Sequence, residues 1–464
     1  MNQQNNSSEG RKAERSAYVA MTVIVAAVYV LGGLLRPFPV DELKPYSQAF
    51  PHTLDFGFSQ LSHLGTVGII EVLLCILFAL LGFRAWPTPC LATMERVNKA
   101  FYARKSLTYL TAFVLAIVFY LLRNEFLNPD VQHFTTMIAQ DAPVKGFFAT
   151  HDELWEFYLH SKFWLATNAW FGWSVKFSYQ VISSIAGGAF VIVLLSYCKM
   201  VMPEKPVSLA LLIFTGGFAQ LYFGDVENYT VASVSILVYF YTCAVYLKGK
   251  GSILAPSSAL GLAMMFHLLA GFLIPSLAYL FYLELKKKQY GNIAKGAACF
   301  LSVIVLTMAF FHINGLPIRN LYHHSHAFGQ GGQYALFVFP SLNDPSGVLF
   351  YYYSMQANLA YLLYPCIVLG PLLVTFRRIT LDTFNVHLII SSLCMLGFHM
   401  LFFAKIGVYN DWNLYANVAV PVSILIWYNV LKIESMKGKA EIVIALYLLF
   451  AFHSYSWIVS NHLL

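Results

Sequence analysis

Apolar runs of roughly 17 to 25 residues recur along the whole chain between short polar stretches, each long enough for a helix to cross a hydrocarbon layer of roughly 30 Å. The strict apolar–polar alternation of barrel strands does not appear. Thirteen such runs stand near 16–35, 65–84, 106–122, 178–198, 207–222, 229–247, 253–266, 268–285, 294–312, 354–376, 384–404, 413–430 and 440–458. The pair 253–266 and 268–285 also reads as one tilted helix across Pro275, so eleven to thirteen spans fit the pattern. The expected fold class is an all-α polytopic membrane protein.

Composition agrees. A chain of 464 residues that is 58% hydrophobic and 11% charged, with mean hydropathy +0.63, has far more apolar surface than one soluble core buries. Lys and Arg are retained on the cytoplasmic face during insertion. A start with the N-terminus inside puts most of the 29 Lys and Arg there: Arg11, Lys12 and Arg15, then Arg84, Arg96, Lys99, Arg104 and Lys105, then Lys248, Lys250, Lys286, Lys287 and Lys288, and finally Arg377 and Arg378. Most of the 22 Asp and Glu then fall outside, and an odd number of spans leaves the C-terminus outside.

The net charge of +7 is therefore a topology signal, since the basic residues are scattered over short loops. A nucleic-acid surface would gather them on one patch beside stacking aromatics, so nucleic acid is not an expected partner; the bilayer is. The cysteines, Cys75, Cys90, Cys198, Cys243, Cys299, Cys366 and Cys394, fall in spans or on the inner side and suggest neither disulfides nor a thiolate metal site. Residues 1–15 read as a disordered cytoplasmic N-terminus, and the first span, lacking a small-residue cleavage site, reads as an anchor.

The remaining organisation is a two-span extension over 16–105, a core over 106–312 containing the outer segment 123–177, a His- and Gly-rich outer loop over 313–353, and C-terminal spans over 354–464. Segment 123–177 is rich in Phe and Trp, too apolar for a plain solvated loop. Within it, His151 to His160 can form a helix lying in the membrane interface. Trp155 and Tyr158 there are an aromatic anchor or, on a sharper reading, a platform for a lipid-linked headgroup.

Candidate chemistry concentrates on the outer side. Asp130 follows the end of a span, where partial desolvation raises a carboxylate's basicity; the plainer reading is a helix cap after Pro129. Asp41 and Glu42, beyond the first span, rival it as a base. The short turn Phe223-Gly224-Asp225-Val226-Glu227-Asn228-Tyr229 holds Asp225, Glu227 and Asn228 near the surface as a substrate-binding or structural element, Asp225 doubling as a cap for the next helix. A divalent cation, Mg or Mn, is an option there through Asp225 and Glu227, although hard cations want more oxygen ligands than two.

Arg319, His323, His324 and His326, followed by glycines, suit a phosphate or pyrophosphate group first, a solvated loop second and a metal third. Lys405 is a further phosphate contact, and Asp411 reads as the cap of the following helix. His267, His399 and His453 read as satisfied polar residues at span ends.

The turn from Phe223 to Tyr229 is similar to a Phe-Gly-Tyr-Val-Glu-Asn-Tyr turn, and Asp411-Trp412-Asn413-Leu414-Tyr415 to an Asp-Trp-Asp-Leu-Phe turn, of bacterial GT-C-like membrane proteins. The plan over 106–430 resembles the GT-C glycosyltransferases, polytopic enzymes that use polyprenyl-phosphate sugars. The resemblance implies sugar transfer from such a donor to a glycan, lipid or protein acceptor at the non-cytoplasmic face of a bacterial inner membrane, with Asp130 at the position of the family's catalytic acid. The chain departs from the pattern in Asn128-Pro129-Asp130, in Asn413 and in its two leading spans. A polymerase or ligase joining lipid-linked glycans, a lipid flippase or transporter, and a purely structural subunit are the alternatives.

Overall fold

The computed structural model describes residues 87–124, 129–150, 153–316, 356–357, 359–375, 378–402, 411–433 and parts of 446–458. The chain separates into two units, Met1–Phe78 and Ala79–Leu464, and the described residues belong to the second. The expected spans 16–35 and 65–84, with Asp41, Glu42, Arg319, His323, His324, His326, Lys405 and His453, lie outside the described residues.

Among the described residues the regular structure is helical, with no β-strand. In chain order the helices are α1 (Pro87–Ala103), α2 (Lys105–Leu121), α3 (Pro129–Lys145), α4 (Leu154–Phe171), α5 (Val175–Val201), α6 (Pro206–Ile213), α7 (Thr230–Leu247) and α8 (Leu254–Phe266). They continue with α9 (Ile274–Lys286), α10 (Tyr290–Ile313), α11 (Gly370–Thr375), α12 (Thr383–Leu401), α13 (Trp412–Ala416) and α14 (Ala419–Lys432). Six helical stretches among the described residues are long and apolar enough to cross a membrane: Val175–Val201, Thr230–Leu247, Leu268–Lys286, Tyr290–Ile313, Thr383–Leu401 and Trp412–Lys432. A seventh results if α1 and α2, bent by 106° to each other, count as one broken span.

α5 is the spine. Its 27 residues reach about 40 Å at 1.5 Å per residue, and it starts where Ser174 accepts the backbone N–H of Phe177 at 3.2 Å. It packs against α2 and α7, α7 against α8, and α8 against α10, while α12 pairs with α14. The stretch Trp412–Lys432 is the most enclosed of the six.

The expected span 207–222 is not one helix. α6 stops at Ile213, and a 3-10 turn over Gly217–Tyr222 carries the chain on. A helix break leaves carbonyls without partners, tolerable inside a membrane only where protein encloses it. Here Ser454 donates to the carbonyl of Thr215 and Tyr455 to that of Phe214 at 3.4 Å. Gly216 and Gly217 permit this, because a Cβ on either would come within 2.5 Å of the carbonyl oxygen of Leu363 or Leu362. The pair expected at 253–266 and 268–285 is two elements and not one tilted helix: α8 ends at Phe266 with His267 as its cap, and a 3-10 turn over Leu268–Leu273 leads into α9.

α12 is polar on the inside. Asn385, His387, Ser391, Ser392 and His399 outnumber Leu388, Met395 and Phe398 on its buried face, whereas Leu393 is exposed. Across the gap, Asn429 of α14 donates to the Asn385 side chain at 2.9 Å.

Segment 123–177 folds into α3 and α4. The helix expected over 151–160 begins at Leu154 and runs to Phe171, where Gly172 at φ +68 ends it in a left-handed turn. Trp155 and Tyr158 pack on α10: the indole N–H of Trp155 donates to Thr307 at 3.1 Å, and its ring stacks on Phe310 at 5.2 Å.

Candidate functional site

Three segments expected on the outer side meet at the start of α7. Immediately after α2, the backbone N–H of Asn124 donates to the carbonyl of Phe223 at 2.7 Å, and Gln180 of α5 donates to the carbonyl of Asn124 at 2.9 Å. The entry to segment 123–177 is thereby fastened to the acidic turn. Val131, one residue past Asp130, and Val226, between Asp225 and Glu227, belong to one buried apolar cluster with Phe157 and Tyr179. Asp130 occupies the second position of α3; its side chain lies outside the described residues.

Gly224 makes the acidic turn possible. Its φ of +66 is costly for any residue with a Cβ, and a Cβ there would sit 2.5 Å from the Cβ of Arg123. The carbonyl of Asp225 accepts a short bond from Ser183. Its carboxylate accepts from the Asn413 amide at 3.5 Å, bringing the turn at 411–415 to the same place, and Tyr229 donates to Asp411 at 3.4 Å. Asp225 is buried, and loss of water pushes its pKa up to about 7 against the opposing pull of Asn413 and the Val226 N–H.

Neither Asp225 nor Asp411 caps a helix with its side chain as expected. Tyr229 occupies the cap position of α7 and makes no side-chain cap bond; Asp411 occupies that of α13 and makes none either. The head of α7 is served by Glu156, from 75 residues earlier in the chain. Its Oε1 accepts the N–H of Val231 at 3.1 Å and its Oε2 that of Ala232 at 3.1 Å. A carboxylate at a helix N-terminus meets both the open N–H groups and the positive end of the helix dipole. Burial nevertheless raises the Glu156 pKa well above the usual carboxylate range, with Glu153 adding to the rise and the two N–H bonds opposing it.

Glu153, one turn earlier, accepts from the Asn228 amide at 3.2 Å and from His267 at 3.1 Å. The amide oxygen of Asn228 in turn accepts from Tyr179 at 3.1 Å. His160 stacks on Tyr179 with ring centroids 3.7 Å apart and has an Nε2 3.6 Å from Glu156. That contact is not an ion pair, because burial lowers the His160 pKa to about 3 and keeps the ring neutral.

The structure thus joins Asp225 and Asn228 to residues that the sequence did not mark as candidate site residues: Glu153, Glu156, His160, Tyr179 and Asn413. Their signal was present, since Glu153, Glu156, His160, Trp164 and Thr167 repeat every three or four positions on one face of α4. Glu227 is buried in the same turn. Among the described residues no group of three or more His, Cys, Asp or Glu is arranged to hold a metal.

Chemically, the arrangement offers desolvated carboxylates and amides, each oriented by a second group, at one end of a helical bundle. Such groups are suited to hold hydroxyls and to exchange protons. No family model and no curated protein matches the sequence. Solved structures that share the fold include ArnT from Cupriavidus metallidurans bound to undecaprenyl phosphate and the same protein in the apo state. Each has a TM-score of 0.52, the identities are 11% and 10%, and both alignments cover 77% of this chain and 76% of that chain. At this identity the likeness is one of fold: the chain shares the fold of these structures over 77% of its length.

Proposed function

We propose that the chain is a membrane glycosyltransferase that moves a sugar from a polyprenyl-phosphate donor to an acceptor hydroxyl at the non-cytoplasmic face, with inversion. The observation that carries this reading is the convergence of the entry to segment 123–177, the turn 223–229 and the turn 411–415 at one end of the bundle. It is supported by the fold shared with a protein whose crystal structure contains undecaprenyl phosphate. The rings of Trp170 and Phe171 at the end of α4 are exposed, which supports reading that end of the helix as seated in the membrane interface.

In this reading the donor's tail lies between helices, and its phosphate is held by Arg319, His323, His324, His326 and Lys405. Asp130 takes the proton of the acceptor hydroxyl, whose oxygen attacks the anomeric carbon. The bond from that carbon to the phosphate oxygen breaks, and the lipid phosphate leaves with the electron pair. The test is Asp130→Asn in purified, reconstituted protein supplied with a polyprenyl-phosphate sugar. Loss of a general base costs roughly 10²- to 10⁴-fold in rate. Transfer at the wild-type rate overturns the assignment.

One observation favours a second reading, a lipid or glycolipid flippase: the polar face of α12 is turned into the bundle, as in helices that line a path. Cysteines placed along that face and labelled from either side of sealed vesicles separate the two, since a path alternately open to both sides labels from both.

A further inference from the structure

Asp225 and Asn413 lie in different outer turns, 188 residues apart, and meet side chain to side chain. The Asn413 amide has a fixed orientation. Its Oδ1 accepts the backbone N–H of Leu414 at 3.0 Å, so its Nδ2 faces Asp225 and donates to Oδ2 at 3.5 Å. Asp225 is held from behind by Ser183 and by the left-handed Gly224. Both side chains are buried.

This geometry sets a charge rule. An aspartate at 413 would keep the Leu414 bond and turn its second oxygen on Asp225, and two carboxylates so close cannot both ionise. An asparagine at 225 beside Asn413 would leave no charge at all. The space accommodates one carboxylate, on either turn.

We propose that Asp225 and Asn413 form a one-charge, hydroxyl-binding element of the outer site: the single carboxylate accepts a hydrogen bond from a hydroxyl of the transferred sugar or of the acceptor. The element works with the acid at either position, and not with two acids or none. This rests on the sugar-transfer reading above. A buried carboxylate facing a hydroxyl makes a charge-assisted bond, stronger than one between neutral groups. The groups gathered around the pair are Glu227 of the same turn, Arg123 after α2, Tyr179 of α5, and Asp411 with Tyr229. They are unchanged in every variant below.

The test is the four-member cycle of wild type, D225N, N413D and D225N/N413D, reconstituted and assayed with a polyprenyl-phosphate sugar. Each single change is expected to lower kcat/KM by at least about tenfold, and the double change to recover to within about threefold of wild type. A rise in KM for the donor assigns the hydroxyl to the sugar; a rise for the acceptor assigns it to the acceptor. A D225N protein as active as wild type, or a double variant no faster than the slower single one, overturns the proposal. Should wild type transfer no sugar, the sugar-transfer reading fails, and melting of the same four proteins in detergent at pH 8 decides the charge rule. N413D is expected to melt below wild type and the double variant to recover; a double variant that melts with N413D overturns it.

Discussion

His267 donates its Nε2 hydrogen to Glu153 across 3.1 Å while its Nδ1 accepts the backbone N–H of Leu269 at 3.0 Å. A nitrogen that accepts cannot carry a proton, so the backbone selects the tautomer and aims the other nitrogen at the carboxylate. The break between α8 and α9 is what exposes the Leu269 N–H for this purpose. Through Glu153 and Asn228 the same contact fixes α4 and the acidic turn to that break.

The first prediction concerns this bond. A double-mutant cycle of Glu153→Gln and His267→Ala, read by thermal melting in detergent, is expected to show a coupling of about 1–3 kcal/mol, as for a buried bond to a charged group. Additive losses would show that the two residues do not act together.

Glu156 supplies the second. Glu156→Ala strips both acceptors from the head of α7 and should cost about 1–3 kcal/mol. Glu156→Gln keeps one acceptor oxygen and should lose less. Equal melting of the alanine variant and wild type would sink the capping role.

At Gly224 two costs coincide. Gly224→Ala meets a left-handed backbone, worth roughly 1–2 kcal/mol, and a clash with the Arg123 Cβ. The expected outcome is a lower yield of folded protein on gel filtration, with melting shifted downward; unchanged behaviour would mean that the turn relaxes into another conformation.

A pH dependence follows from Asp225. Its pKa is raised from 3.8 to about 7 in the folded protein, so the native state binds more protons than the unfolded one between those values. Its contribution to stability is full below about pH 4, declines as pH rises towards 7 and is flat above. D225N should remove that part of the slope between pH 4 and 7, measured as melting temperature against pH; an unaltered slope would assign it to another group.

The spans were legible because lipid demands long apolar runs, and α5, α7, α10 and α12 stand close to where hydropathy put them. The break at 214–216 was not legible. Hydropathy averages over 207–222 and is blind to the Gly216 and Gly217 contacts with backbone carbonyls more than a hundred residues away. At the site, Asp225, Glu227 and Asn228 were readable from a short polar turn between apolar runs, but Glu153, Glu156 and His160 were hidden in a helix noticed for its aromatic rings. Their burial comes from packing against α5 and α8 and from meeting the head of α7, partners that local sequence cannot name.

The inward polarity of α12 bears on how the chain is assembled. A helix released alone into lipid would expose Asn385, His387, Ser391, Ser392 and His399 to hydrocarbon, whereas beside α14 its Asn385 finds Asn429. Membrane integration of this segment is therefore cooperative with a helix synthesised after it, and a chain truncated before residue 411 should leave α12 poorly inserted and exposed to quality-control proteolysis.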